Sequence, residues 1–249
     1  MRINGPMSME NYNILKKSGN KSIAMRILAL DTSTIACSIA LLEGDKVKVK
    51  HELSPIKHAK LLLGFLDEMI GSDLASLDVL AWGCGPGSFT GLRIAASVIQ
   101  ALGFSYKIPV VNVSSLAAIA QTAYQEQGWK KLLVAVDARM NEVYWGAYQI
   151  NDQGFAELSA GEGLCPPIEL PVQPEEEWYG VGSAWSIYQT ELQQNLGKQI
   201  KLMDADCAPK ALAVAQLGRL KYIQGQGKSS FDALPTYLRD NVCKNVELG

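Results

Sequence analysis

From Met25 onward the chain alternates short apolar runs with stretches of helical period. Arg26-Ile27-Leu28-Ala29-Leu30 runs into Asp31 and the polar Thr32-Ser33-Thr34, and Ala36 to Leu42 is apolar again. Glu43-Gly44-Asp45-Lys46 is a hairpin turn signal, and Val47 to His51 alternates as a third strand. Periodicity then predicts a helix over Ala59–Ile70, a buried strand over Val79–Trp82 and a helix beginning near Thr90. A short strand over Val110–Val113 and a helix over Ser115–Gln125 follow. Three hairpin-linked strands and then alternating helix and strand imply a mixed sheet covered by helices.

The second half opens like the first. Leu132-Leu133-Val134-Ala135-Val136 ends on Asp137, Ala138-Arg139-Met140-Asn141 turns, and Glu142 to Ile150 reads as a strand closed by the turn Asn151-Asp152-Gln153-Gly154. The unit of strand, Asp, polar turn, strand and turn thus occurs twice, about one hundred residues apart, a signal of internal duplication. Cys165 to Glu177 is rich in Pro and Glu and reads as a loop. Helices are predicted around Ser183–Leu196 and Pro209–Tyr222, the second with Pro near its first turn. Duplicated β-meander-plus-helix halves, each with an Asp at the end of its first strand, give an α/β fold of the actin-like ATPase (ribonuclease H-like) architecture. The expected division is 25–127 and 128–249. Residues 1–24 show neither strand nor helix period and read as a disordered leader or tag, with Met25 as the start of the folded protein.

The densest local pattern is Gly83-Cys84-Gly85-Pro86-Gly87-Ser88-Phe89-Thr90-Gly91-Leu92-Arg93. It joins a buried strand to a helix, where backbone N–H groups converge. No Gly-Lys-Ser/Thr follows, so it is not a P-loop, and it is not a clean dinucleotide fingerprint. Gly85, Gly87, Ser88, Phe89, Thr90 and Gly91 can be read as an anion or partner site. They can also be read as a tight corner, with Ser88 or Thr90 as the N-cap, and the local chemistry favours the corner.

Composition narrows the function classes. The 249 residues hold 48% hydrophobic and 19% charged residues, with a formal charge of −2. That is ordinary for a soluble globular protein and leaves no basic stripe for gripping nucleic acid directly. The five cysteines are scattered without a CxxC, no secretory signal is seen, and no run reaches the roughly 18 apolar residues of a membrane span. A cytoplasmic protein with reduced thiols is expected.

Candidate chemistry is sparse. Only two histidines exist, His51 and His58, and the position four after His58 is Leu62, so a His-x-x-x-His metal pair on one helix face is absent. His58 reads as an exposed or capping residue near a helix start. Ser88 lacks the Gly-x-Ser-x-Gly frame of a nucleophile elbow. Asp31, Thr32 and Asp137 stand where actin-like ATPases hold phosphate and metal. Their turns lack the glycines that let backbone wrap phosphate, so turn capping competes with weak nucleotide binding. Gly180-Val181-Gly182-Ser183 is a weak signal for an adenosine-binding turn.

Four segments together resemble one family. They are Ile27-Leu28-Ala29-Leu30-Asp31-Thr32-Ser33-Thr34, Gly85 through Arg93, Val136-Asp137-Ala138-Arg139-Met140-Asn141-Glu142-Val143-Tyr144, and Pro235-Thr236-Tyr237-Leu238-Arg239. In order and spacing they are similar to TsaB (YeaZ), the bacterial accessory family of tRNA threonylcarbamoyladenosine biosynthesis, from Met25 to the end. The resemblance implies an actin-like fold without catalysis of its own. It implies pairing with the catalytic paralogue TsaD, and TsaE joining through that pair. A homodimer is implied when the chain is alone, and tRNA contact is indirect. No cofactor is expected here, ATP and metal belonging to partner subunits. It places the interface on the two helices that look apolar on more than one face. The interface candidates are His58, Leu61, Leu62, Phe65, Leu66 and Met69 on the first helix and Arg93, Ile94, Ser97 and Val98 on the second. On that reading Leu62→Glu or Phe65→Glu abolishes partner binding and leaves the fold intact. The alternatives are an independent ATPase or metallopeptidase, and a homodimeric scaffold for other partners.

Overall fold

The computed structural model describes residues 25–54, 57–71, 73–171 and 177–239, so the expected leader lies outside the described residues. Strands β1 (Arg26–Asp31), β2 (Ala36–Glu43), β3 (Lys46–Leu53), β4 (Val79–Gly83) and β5 (Val110–Val113) form a five-stranded sheet in the order β3-β2-β1-β4-β5. Strands β6 (Lys131–Asp137), β7 (Val143–Ile150), β8 (Ala156–Cys165), β9 (Trp178–Val181) and β10 (Ile200–Asp204) form a second, in the order β10-β9-β6-β7-β8. In each, the first strand sits in the centre, antiparallel to its hairpin partner on one side and parallel to the fourth strand on the other. The two halves repeat one connectivity, so the internal duplication read from the sequence is a real one, and the fold is the actin-like α/β architecture.

The central strands are covered on both faces, which is why they read as continuous apolar runs. Ile27, Leu28, Ala29 and Leu30 have no exposed surface, and Leu132, Leu133, Val134 and Ala135 have almost none. The edge strand β3 is the opposite: Lys46, Lys48 and Lys50 alternate along an exposed strand, a charge pattern that discourages edge-to-edge pairing.

Helices α1 (His58–Ile70) and α2 (Phe89–Tyr106) cover one face of the first sheet. Helix α6 (Ala211–Ile223) covers its other face with Ala213, Val214 and Leu217. Helix α3 (Ser115–Gln127) packs Leu116, Ile119, Ala120 and Ala123 on the second sheet, whose far face is covered by α4 (Ala184–Ile187) and α5 (Gln189–Leu196). The layers therefore run α1/α2, first sheet, α6 with α3, second sheet, α4/α5. Helix α6 follows residue 128 yet lies on the first sheet, and α3 precedes it yet lies on the second. The packing units therefore exchange one helix across the sequence division at 127/128.

The structure corrects the sequence reading in the second half. The helix expected over Ser183–Leu196 is two helices, broken at Tyr188, which leaves helical geometry (φ −117°, ψ 36°) while its hydroxyl donates to Asp137 Oδ1 at 2.9 Å. Strands β8, β9 and β10 were not expected. β8 and β10 are exposed edges with no clean alternation to betray them, and β9 is only four residues long.

Candidate partner groove and glycine turn

The glycine turn is built around the end of β1. Ser88 caps α2, its Oγ accepting from Gly91 N–H at 3.3 Å, so of the two expected caps it is Ser88. The turn after β1 presses into the corner: Ser88 N–H donates to Ser33 O at 2.7 Å, and Thr32 Oγ1 donates to Gly91 O at 2.7 Å. A Cβ at Gly91 would lie 1.8 Å from Thr32 O, and one at Gly87 would lie 2.4 Å from Ser33 O. These glycines admit backbone of the same chain at close range. Of the two sequence readings, the tight corner is the one this geometry supports.

Asp31 and Thr32 have no exposed surface. Asp31 Oδ1 accepts from Ser33 N–H and Ser33 Oγ, both at 2.8 Å, and Oδ2 accepts from Ser115 Oγ at 3.2 Å. Asp137, at the equivalent end of β6, caps its own turn the same way, accepting from Arg139 N–H at 2.9 Å as well as from Tyr188. Both acids are thus turn-capping acceptors with their side chains withdrawn from solvent. Among the described residues no three His, Cys, Asp or Glu side chains gather where one ion could be held.

Burial pushes the Asp31 carboxyl up from 3.8 to about 7, against the opposing pull of the Ser33 amide, the Ser33 hydroxyl and the Ser115 hydroxyl. The folded chain then holds this proton more tightly than the unfolded chain. The stability it contributes is fully present below about pH 4 and is lost as pH rises to about 7. At about 1.4 kcal/mol per pH unit the loss is on the order of 4 kcal/mol. Asp31→Asn is expected to remove this decline. The difference in unfolding free energy between wild type and variant should slope between pH 4 and 7, and parallel curves would contradict the assignment.

Helices α1 and α2 leave a groove of ≈ 440 Å³ on the outer face, lined by Ala59 and Leu63 of α1 and by Phe89, Thr90, Arg93, Ile94, Ser97 and Val98 of α2. Leu63 is 60% and Phe89 47% exposed. The Arg93 guanidinium lies 3.6 Å from the Phe89 ring centroid and its Nε donates to Tyr237 Oη at 3.4 Å, while the Phe89 and Tyr237 rings are 5.8 Å apart. Stacking of this kind holds a cation on an apolar surface without a carboxylate.

The ten interface candidates separate. Arg93, Ile94, Ser97 and Val98 line the groove. Leu61, Phe65 and Leu66 are half-buried and pack inward on the first core. Leu62 is fully buried, and His58 and Met69 nearly so, so these three belong to the interior. The expectation for Leu62 is overturned because positions 58, 62, 66 and 69 form the helical stripe that faces the sheet. His58 is neither exposed nor a cap: its Nε2 lies 3.3 Å from Ile35 O. Leu63 and Ala59, absent from the candidates, complete the groove. The signal was there, since Leu63 is an apolar residue with Lys60 and Asp67 at helical spacing on the polar side of α1.

A family model described as TsaD, tRNA N6-adenosine threonylcarbamoyltransferase, matches residues 51–245. The tRNA threonylcarbamoyladenosine biosynthesis protein TsaB of Escherichia coli K12 is 35% identical over 227 residues, spanning 88% of this chain and 96% of that protein. The chain belongs to the TsaB family. The TsaB of Haemophilus influenzae is 36% identical over 231 residues, 88% of this chain and 95% of that one. Among solved structures, YeaZ from Pseudomonas aeruginosa has 38% identity and a TM-score of 0.80, covering 86% of this chain and all of that one. In this TsaB-family chain the four motif segments converge. The first and second meet at the glycine corner, and the C-terminal Pro235–Arg239 segment reaches both that corner and the Asp137 turn. The second helix of that corner, α2, supplies most of the groove.

Proposed function

We propose that this TsaB-family chain is a non-catalytic activating partner of a TsaD-type transferase in forming N6-threonylcarbamoyladenosine on tRNA, and that it docks through the α1/α2 groove. The observation that carries the reading is the exposed apolar pair Leu63 and Phe89 on the outer layer of the fold, with the half-buried Ile94 and Val98 lining the groove beside them. An apolar groove between two helices suits a pair of helices from a partner with the same architecture, because ridges of one pair fill grooves of the other. The closed state of Asp31 and Thr32 supports a role in assembly over one in phosphate chemistry. On this reading a TsaE-type ATPase joins through the pair, tRNA is met through the partner, and two copies of this chain associate by the same face when the partner is missing. The setting is the cytoplasm, and among the described residues no helix is long and apolar enough to cross a membrane.

Leu63→Glu tests the groove. Its side chain is mostly exposed in the monomer, so unfolding free energy should stay within about 0.5 kcal/mol of wild type. A carboxylate facing an apolar partner surface should weaken binding to the TsaD-type partner by at least about 2 kcal/mol, roughly thirtyfold in Kd. Calorimetric titration with the purified partner reads it. Wild-type affinity in Leu63→Glu would move the interface elsewhere.

A further inference from the structure

The C-terminal segment touches both packing units, and its two ends do different things. Its approach is fixed to the first unit: Lys228 pairs with Val110, Gln100 Nε2 donates to Ala233 O at 3.1 Å, and Thr236 N–H donates to Cys84 O at 2.7 Å. Three residues later Arg239 grips the second unit. Its guanidinium donates to Ala138 O at 3.0 Å and Arg139 O at 3.4 Å, and pairs with Glu142 Oε2 at 2.6 Å. The Arg239 side chain is only 14% exposed there.

We propose that Pro235–Arg239 is a clasp that ties the second unit to the first, with Arg239 as its latch, and that its release frees the two units to move about the α3/α6 layer. Two features of opposite units fit this segment and are otherwise costly. On the first, Gly85 has φ +108°, and a Cβ there would lie 2.8 Å from Thr236 O, so only glycine admits the clasp backbone. On the second, Arg139, Met140 and Asn141 are all left-handed, with φ of 60°, 56° and 58°. Side-chain-bearing residues hold that conformation when their surroundings fix it. Arg239 joins Asp137 in the fixing, since it binds the successive carbonyls of Ala138 and Arg139 and the acid that closes the turn. The clasp runs from Cys84, just past the carboxyl end of β4 in the first sheet, to Ala138, just past that of β6 in the second.

The test is a distance between units. Spin labels at Val49→Cys on β3 and Leu158→Cys on β8, exposed positions outside the groove, are introduced with Cys165 and Cys243 replaced by serine, and labelled chain is diluted in unlabelled chain. With Arg239 present the distance distribution is expected to be single and narrow. Arg239→Gln should broaden it and raise amide exchange at Ala138, Glu142 and Thr236 by about tenfold or more, as expected for loss of a charge-assisted contact. Exchange in β1 and α1 should be unchanged. An unaltered distribution overturns the clasp, as does faster exchange at 138–142 with Thr236 still protected, which would make Arg239 a staple for one loop. If Arg239→Gln loses protection throughout the chain, Glu142→Gln is read instead. It removes the ion pair and spares the carbonyl contacts, and an unaltered distribution there overturns the clasp equally.

Discussion

Alanine at position 91 should destabilise the chain by about 3 kcal/mol or more, the upper part of the range for overpacked sites. Two effects oppose each other. Gly91 lies within α2, where alanine gains up to about 1 kcal/mol over glycine in helix propensity. Against that, the new Cβ would stand 1.8 Å from Thr32 O, a backbone atom of a fully buried residue that a rotamer change cannot move. The turn is also tied at that point, because Thr32 Oγ1 donates to Gly91 O. The steric term wins. Gly64→Ala on α1 is the control, since no atom lies within 4 Å of a Cβ there, and it should be neutral or stabilising by up to about 1 kcal/mol. Denaturation midpoints decide the matter. A Gly91→Ala chain as stable as wild type would mean that the corner is not packed as described.

Leu62→Glu should unfold the chain, where the adjacent Leu63→Glu leaves it folded. Leu62 has no exposed surface and sits among Leu28, Ile39, Leu41 and Ile99 in the first core. Losing the leucine alone costs about 2–5 kcal/mol, and an uncompensated carboxylate in that place adds several more. The sum rivals the whole stability of an ordinary domain, about 5–15 kcal/mol. Circular dichroism on the two variants separates core from surface. A folded Leu62→Glu chain that merely loses its partner would return Leu62 to the interface and displace the groove.

The contrast between positions 62 and 63 shows what sequence could and could not carry. The central strands β1 and β6 were legible because burial on both faces makes them continuously apolar, and the repeated strand-Asp-turn unit gave away the duplication. The apolar circumference of α1 was legible too, but not which arc faces the sheet. That depends on the helix's rotation over β2, which packing sets. The edges β8 and β10 are exposed or only half-buried along their length, so burial selects no clean alternation of their side chains. The glycine corner shows a further limit. Its glycines announce close approach, yet only the fold reveals that what approaches is the turn after β1. The roles of Gly85 and Arg239 depend on contacts more than ninety residues apart in sequence, which no local pattern encodes.

The central claim is that the chain activates a TsaD-type transferase through the α1/α2 groove. It is tested most directly by threonylcarbamoyl transfer to tRNA in a purified system holding the TsaD-type and TsaE-type proteins. Transfer should be strong with the wild-type chain, and weak both without it and with Leu63→Glu. Transfer that is equally fast without the chain would contradict the activating role, and full activity with Leu63→Glu would contradict the groove.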